Sequence, residues 1–150
     1  MKKLMLSLAV AFISVAAFAQ TPAPAAPVAK GEDFIKFKEV VHDFGKIKQG
    51  VPVTYDFVFT NISKQAVVIE SATASCGCTT PVKPEQPIAK GKTDKIKAGF
   101  NAAAASPFDK TIYVKVAGAA QPMEIKIKGE VLSADAYAKY EADKKGKAGK

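Results

Sequence analysis

Arginine is absent from the chain, and histidine occurs once, at His42. Those two shortages remove several function classes. Bidentate recognition of nucleic-acid phosphates favours arginine, and the lysines that supply all the positive charge are spread along the chain, so no specific nucleic-acid binding is expected. There is no Gly-rich phosphate loop, no nucleophile elbow and no His/carboxylate cluster at metal-ligand spacing. Hydrolase chemistry therefore has no visible constellation, and no catalytic residue and no cofactor are expected. Cysteine is scarce too: the chain has 2, Cys76 and Cys78, separated only by Gly77.

The charged residues that are present give a net charge of +8. Lysines of this density suit sheet edges and solvated faces, and they also permit association with anionic surfaces.

The first residues, "MKKLMLSLAVAFISVAAFAQ", place Lys2 and Lys3 before an apolar run from Leu4 to Phe18. Ala17-Phe18-Ala19 supplies small residues for cleavage between Ala19 and Gln20. This pattern predicts a secretory signal peptide over 1–19. The apolar run is short of the roughly 18 residues of a spanning helix, and no later segment is apolar enough to cross a bilayer. The expected location is periplasmic or extracellular, an oxidising space. Residues 20–31, "QTPAPAAPVAKG", form a Pro/Ala-rich tether with no means of building a core.

From Asp33 the apolar residues alternate, the signature of half-buried strands. Val51, Val53, Tyr55, Phe57 and Phe59 share one face. Phe108, Ile112, Val114 and Val116 share another, and Met123, Ile125, Ile127, Gly129 and Val131 a third. Weaker strands are expected at Ile35 and Phe37, at Val67 and Ile69, and at Ile96, Ala98 and Phe100. About seven short strands with no long helical period predict an all-β, immunoglobulin-like antiparallel β-sandwich over 32–132. Over 133–150 a short helix, capped by Ser133 and running to Ala142, leads into a basic tail.

Two compact motifs carry the candidate chemistry. In "SCGCT", Ser75 to Thr79, the cysteines have three open states: an internal disulfide, a pair of soft-metal ligands for copper or zinc, or two inert thiols. A disulfide requires the chain to turn, which Gly77 permits. Metal binding needs more donors than two sulfurs, and His42, Met123 or a second molecule would have to supply them. In "HDFG", His42 is a ligand or proton carrier, or else part of a turn. In the turn reading Asp43 bonds to backbone, Phe44 enters the core and Gly45 bends the chain.

These segments, with "YDFVFTN" (55–61), "FDKTIYV" (108–114) and "IKGEV" (127–131), resemble a bacterial secreted family of unassigned function marked by a Ser-Cys-Gly-Cys-Thr signature. More distantly they resemble the Hydin-like and major-sperm-protein-like domains. The resemblance spans about Phe34 to Leu132, which fits one domain. It implies an immunoglobulin-like fold and a cell-envelope location, and it implies no activity. The alanine-rich "NAAAASPFDK" departs from the polar and glycine residues usual there. Together these observations lead to an expected function as an exported, non-enzymatic module that binds a protein or envelope component, with thiol–disulfide exchange or soft-metal handling at Cys76 and Cys78 as the alternative.

Overall fold

The computed structural model describes residues 29–148. The expected signal peptide, its cleavage site and most of the tether lie outside the described residues. The tether's last residues, Ala29 to Gly31, are part of the domain: Ala29 accepts a bond from the Ala120 N–H, and Gly31 is buried against Met123.

Eight strands form two four-stranded sheets. They are β1 (Ile35–Phe37), β2 (Val41–Lys48), β3 (Val53–Asn61), β4 (Ile69–Ala74), β5 (Thr79–Val82), β6 (Thr93–Phe100), β7 (Pro107–Val116) and β8 (Met123–Leu132). One sheet runs β1-β3-β6-β5 and the other β2-β8-β7-β4. The expected sandwich is present, with one departure from an all-antiparallel scheme: β2 pairs with β8 in parallel.

The alternation seen in the sequence sets the two inner faces. Phe57, Phe59 and Ile96 from one sheet meet Ile69, Ile112, Val114, Ile125 and Ile127 from the other, all fully buried. Each such side chain contributes about 1.5–3 kcal/mol by leaving water. The apolar face expected to begin at Val51 begins at Val53 instead, and Val51 is exposed.

One strand that the sequence hid is β2. Its "HDFG" segment is a strand with a bulge, because the register with β8 shifts between Asp43 and Lys46. The turn-forming residues make that bulge. Asp43 Oδ1 accepts from the Gly45 N–H at 2.8 Å, and Gly45 adopts φ 64°, open to glycine without strain. The bulge rests on β8 at Gly129, where an added β-carbon would lie 2.7 Å from the Gly45 carbonyl oxygen. The two quoted motifs "HDFG" and "IKGEV" thus interlock.

After β8, α1 (Ala134–Ala148) runs well beyond the expected end at Ala142. Ser133 caps it, its hydroxyl accepting from the Ala136 N–H at 3.4 Å. Tyr140 lies beneath the Lys46 ammonium, 5.2 Å from the ring centroid, so the helix docks on the β2 side.

Candidate functional site: the cysteine corner

β4 and β5 are edge strands of different sheets, and the chain crosses between them through Ser75 to Cys78. Ser75 prolongs the β4 ladder. Its N–H donates to the Thr111 carbonyl at 2.9 Å, and its hydroxyl accepts from the Thr111 N–H at 3.2 Å. The chain then turns, closed by the Thr79 N–H to the Cys76 carbonyl at 3.3 Å. Asn101 N–H to the Cys78 carbonyl at 3.1 Å starts the ladder of β5 with β6. Backbone bonds therefore hold both ends of the corner.

Within it Cys76 and Cys78 are joined as a disulfide, with Cα atoms 5.4 Å apart. Both are half-buried and Gly77 is exposed. Cys78 packs against the core. Gly77 is not among the left-handed glycines, and an added β-carbon there would meet nothing within 4 Å. Thr79 is buried, 4% exposed. Its hydroxyl lies 3.8 Å from Cys76 Sγ and 4.0 Å from Cys78 Sγ.

Two neighbouring segments share this end of the sandwich. The loop from Asn101 to Ser106 is anchored at Ala102, which is fully buried with φ 50°. Its carbonyl accepts from the Gly50 N–H at 2.9 Å, and the Ala103 carbonyl accepts from Gln49 Nε2 at 3.0 Å. These stretches carry no charge of their own, with Lys48 at their margin. No ionisable acid or base occurs over 71–82 or 98–108, and over 49–55 Tyr55 is the sole ionisable group, in a chain that is 24% charged.

His42 lies elsewhere. β2 and β4 occupy opposite edges of one sheet with β8 and β7 between them, a span of roughly 14 Å at ordinary strand spacing. Met123 is buried against Gly31. The sulfurs, His42 and Met123 do not converge, and among the described residues no group of three His, Cys, Asp or Glu side chains is placed to hold a metal. His42 instead forms its own cluster. Its ring stacks on Tyr55 and meets the edge of Phe44, with centroids 3.5 and 4.7 Å apart. Glu39 joins them: Oε1 is 3.3 Å from His42 Nδ1, and Oε2 accepts from the Tyr55 hydroxyl at 3.1 Å. That hydrogen bond, with desolvation and the carboxylate's charge behind it, pushes Tyr55 above the ordinary tyrosine value.

Sequence reasoning missed the roles of Glu39 and Tyr55. The signals were Tyr55 on the inward face of an alternating strand and Glu39 three residues before His42.

Residues 35–131 match the profile of a family described as "Protein of unknown function (DUF1573)". The chain belongs to that family. No curated protein sequence matches it. Among solved structures it is similar to a protein of unknown function from Porphyromonas gingivalis W83, with TM-score 0.57 and 15% identity over 65% of this chain and 46% of that one. It is also similar to the ASH/PapD-like domain 7 of human CEP192, with TM-score 0.53 and 10% identity over 83% of this chain and 99% of that domain. The Vibrio cholerae VesB protease gives TM-score 0.52 and 16% identity over 68% of this chain. The chain spans 46% of the Porphyromonas protein and 33% of the protease. At these identities the likeness shows the fold alone: an immunoglobulin-like β-sandwich. No described helix is long and apolar enough to cross a membrane.

Proposed function

We propose that this DUF1573 domain is an exported, non-enzymatic binding module that engages a protein or cell-envelope component through the uncharged stretches at this end. The observation that carries this reading is the meeting of three segments with no acid or base on their exposed parts, locked by the Gly50–Ala102 and Asn101–Cys78 backbone bonds. A rigid sandwich presenting loops is a common way to build a recognition surface, and charge depletion marks the centre of protein interfaces. Export would follow from the expected signal peptide and the Pro/Ala tether.

The test places a charge on the exposed Ala104. Ala104→Glu should abolish crosslinking of the tagged protein to its envelope partner, while Lys97→Glu, on the outer face of β6, leaves it intact. Equal crosslinking by both variants refutes this surface.

A second reading is favoured by one observation. The disulfide is half-exposed and closes a ring of three residues, which gives the fold only about 1.6 kcal/mol in the loop-entropy account. A bond that adds so little stability is better explained by thiol–disulfide exchange with a partner. Reduction of the pair by dithiothreitol under native conditions tests it; sulfurs that react only on unfolding would exclude it.

A further inference from the structure

Among the described residues two polar side chains are buried, Asn61 and Thr79. Asn61 is fully satisfied. It donates to the Gln65 and Ile88 carbonyls and accepts from the Ser63 N–H and hydroxyl. Thr79 is not satisfied in the same way: among the described residues, the partners of its hydroxyl are the two sulfurs of the disulfide. Disulfide sulfur is a weak acceptor, whereas a thiolate is charged and accepts strongly. A buried hydroxyl with weak partners costs stability. Valine would fill the same volume in a strand without that cost. The hydroxyl is thus matched to a state of the sulfurs other than the resting one.

We infer that Thr79 is the positioning residue for thiol–disulfide exchange at Cys76 and Cys78, its hydroxyl stabilising the sulfur that leaves. The inference rests on the second reading above. Cys78 packs against the core, so Cys76 is the sulfur open to attack. A thiolate of a partner dithiol attacks Cys76 Sγ. A mixed disulfide forms, the Cys76–Cys78 bond breaks, and its electron pair goes to Cys78 Sγ. That thiolate accepts a hydrogen bond from the Thr79 hydroxyl and later takes a proton from solvent. The partner's second thiol, deprotonated by solvent, attacks its own sulfur in the mixed disulfide and releases Cys76 as a thiolate, which is protonated in turn. The partner dithiol is oxidised to a disulfide, and this pair is reduced to two thiols. The segment from Ser71 to Val82 carries no cation, which leaves the hydroxyl as that segment's source of stabilisation for the new charge.

The test measures reduction of the purified, oxidised full chain by dithiothreitol, quenched and counted as free thiols, beside the thermal midpoint of each variant. Thr79→Val should be reduced about tenfold more slowly than wild type, the effect of one hydrogen bond to a charged group. Its thermal midpoint should be equal or higher. Thr79→Ser keeps a hydroxyl and should restore most of the rate. A loosened fold would expose the sulfurs and speed reduction, so slow reduction with a preserved midpoint is not a packing effect. Thr79→Val reduced at the wild-type rate, or slowed together with a lowered midpoint, overturns the role of Thr79. Wild-type protein that dithiothreitol reduces only in denaturant overturns the exchange reading itself, whatever the variants do.

Discussion

The imidazole of His42 lies flat on the phenol of Tyr55, centroids 3.5 Å apart and planes 7° from parallel. The two rings come from opposite sheets: His42 is on β2 and Tyr55 on β3. Glu39, in the link between β1 and β2, holds one ring with each carboxylate oxygen. The cluster closes the sandwich along the edge opposite the cysteine corner. The single histidine is thus part of a cross-sheet clasp.

The clasp predicts behaviour at alkaline pH. Tyr55 is raised above the ordinary 10.0 because the neutral phenol donates to Glu39. The fold therefore stabilises the neutral form. That contribution is whole below the unfolded value and is lost as pH rises through the higher folded one. Urea unfolding from about pH 9 to 12 should show wild type losing stability more steeply than Tyr55→Phe. Equal slopes would mean that the Glu39 bond does not form in solution.

Two glycines of the quoted motifs should respond oppositely to alanine. At Gly129 the new β-carbon would lie 2.7 Å from the Gly45 oxygen and 2.9 Å from Phe108 Cζ. Backbone must move, and overpacking of this kind costs about 1–3 kcal/mol. At Gly77 the space is open and the backbone is not left-handed, so Gly77→Ala should stay within about 0.5 kcal/mol of wild type. Chemical denaturation of both variants checks the pair, and a large loss at Gly77 would contradict the geometry of the corner.

How far the sequence was legible follows from what each residue's signal was local to. Phe57, Phe59, Ile112, Val114, Ile125 and Ile127 alternate within their own strands, so the inner faces were visible in advance. β2 was hidden because Asp43 and Gly45 carry turn chemistry; only the long-range contact with Gly129 makes that turn a bulge in a strand. β5 was hidden because "TTPV" is short and holds a proline, acceptable only on an edge. The separation of His42 from the cysteines depends on strand order, which no local pattern encodes. Thr79 was visible as part of the signature, but that its hydroxyl faces two sulfurs was not.

Removing the disulfide should leave the domain folded. The double variant Cys76→Ser, Cys78→Ser gives up a three-residue ring, and the expected loss is about 1.6 kcal/mol. The corner keeps its anchors in the Ser75–Thr111 and Cys78–Asn101 backbone bonds. Urea midpoints of the oxidised protein and the double variant measure the difference. A loss above about 4 kcal/mol, near that expected for closing a hundred-residue loop, would make the pair a structural staple and undercut the exchange reading.

Asn61 should prove far more costly to change than its place at the end of a strand suggests. It is 1% exposed. Its amide donates to the Gln65 and Ile88 carbonyls, both at 2.8 Å, and its oxygen accepts from the Ser63 N–H at 2.9 Å and the Ser63 hydroxyl at 2.8 Å. The Asn61 backbone also bonds with Lys92 and Gly91. One side chain thus ties the turn after β3 to the segment carrying Ile88, whose backbone bridges Val67. Asn61→Ala removes four side-chain hydrogen bonds, each worth about 0.5–1.5 kcal/mol net, so the variant should lose about 3 kcal/mol or more. Asn61→Asp, at pH low enough to neutralise the carboxyl, keeps the acceptor and has one O–H donor in place of two N–H donors, and should fall between alanine and wild type. Urea unfolding of the three proteins ranks them, and an alanine variant within about 1 kcal/mol of wild type would show that water replaces the side chain at no cost.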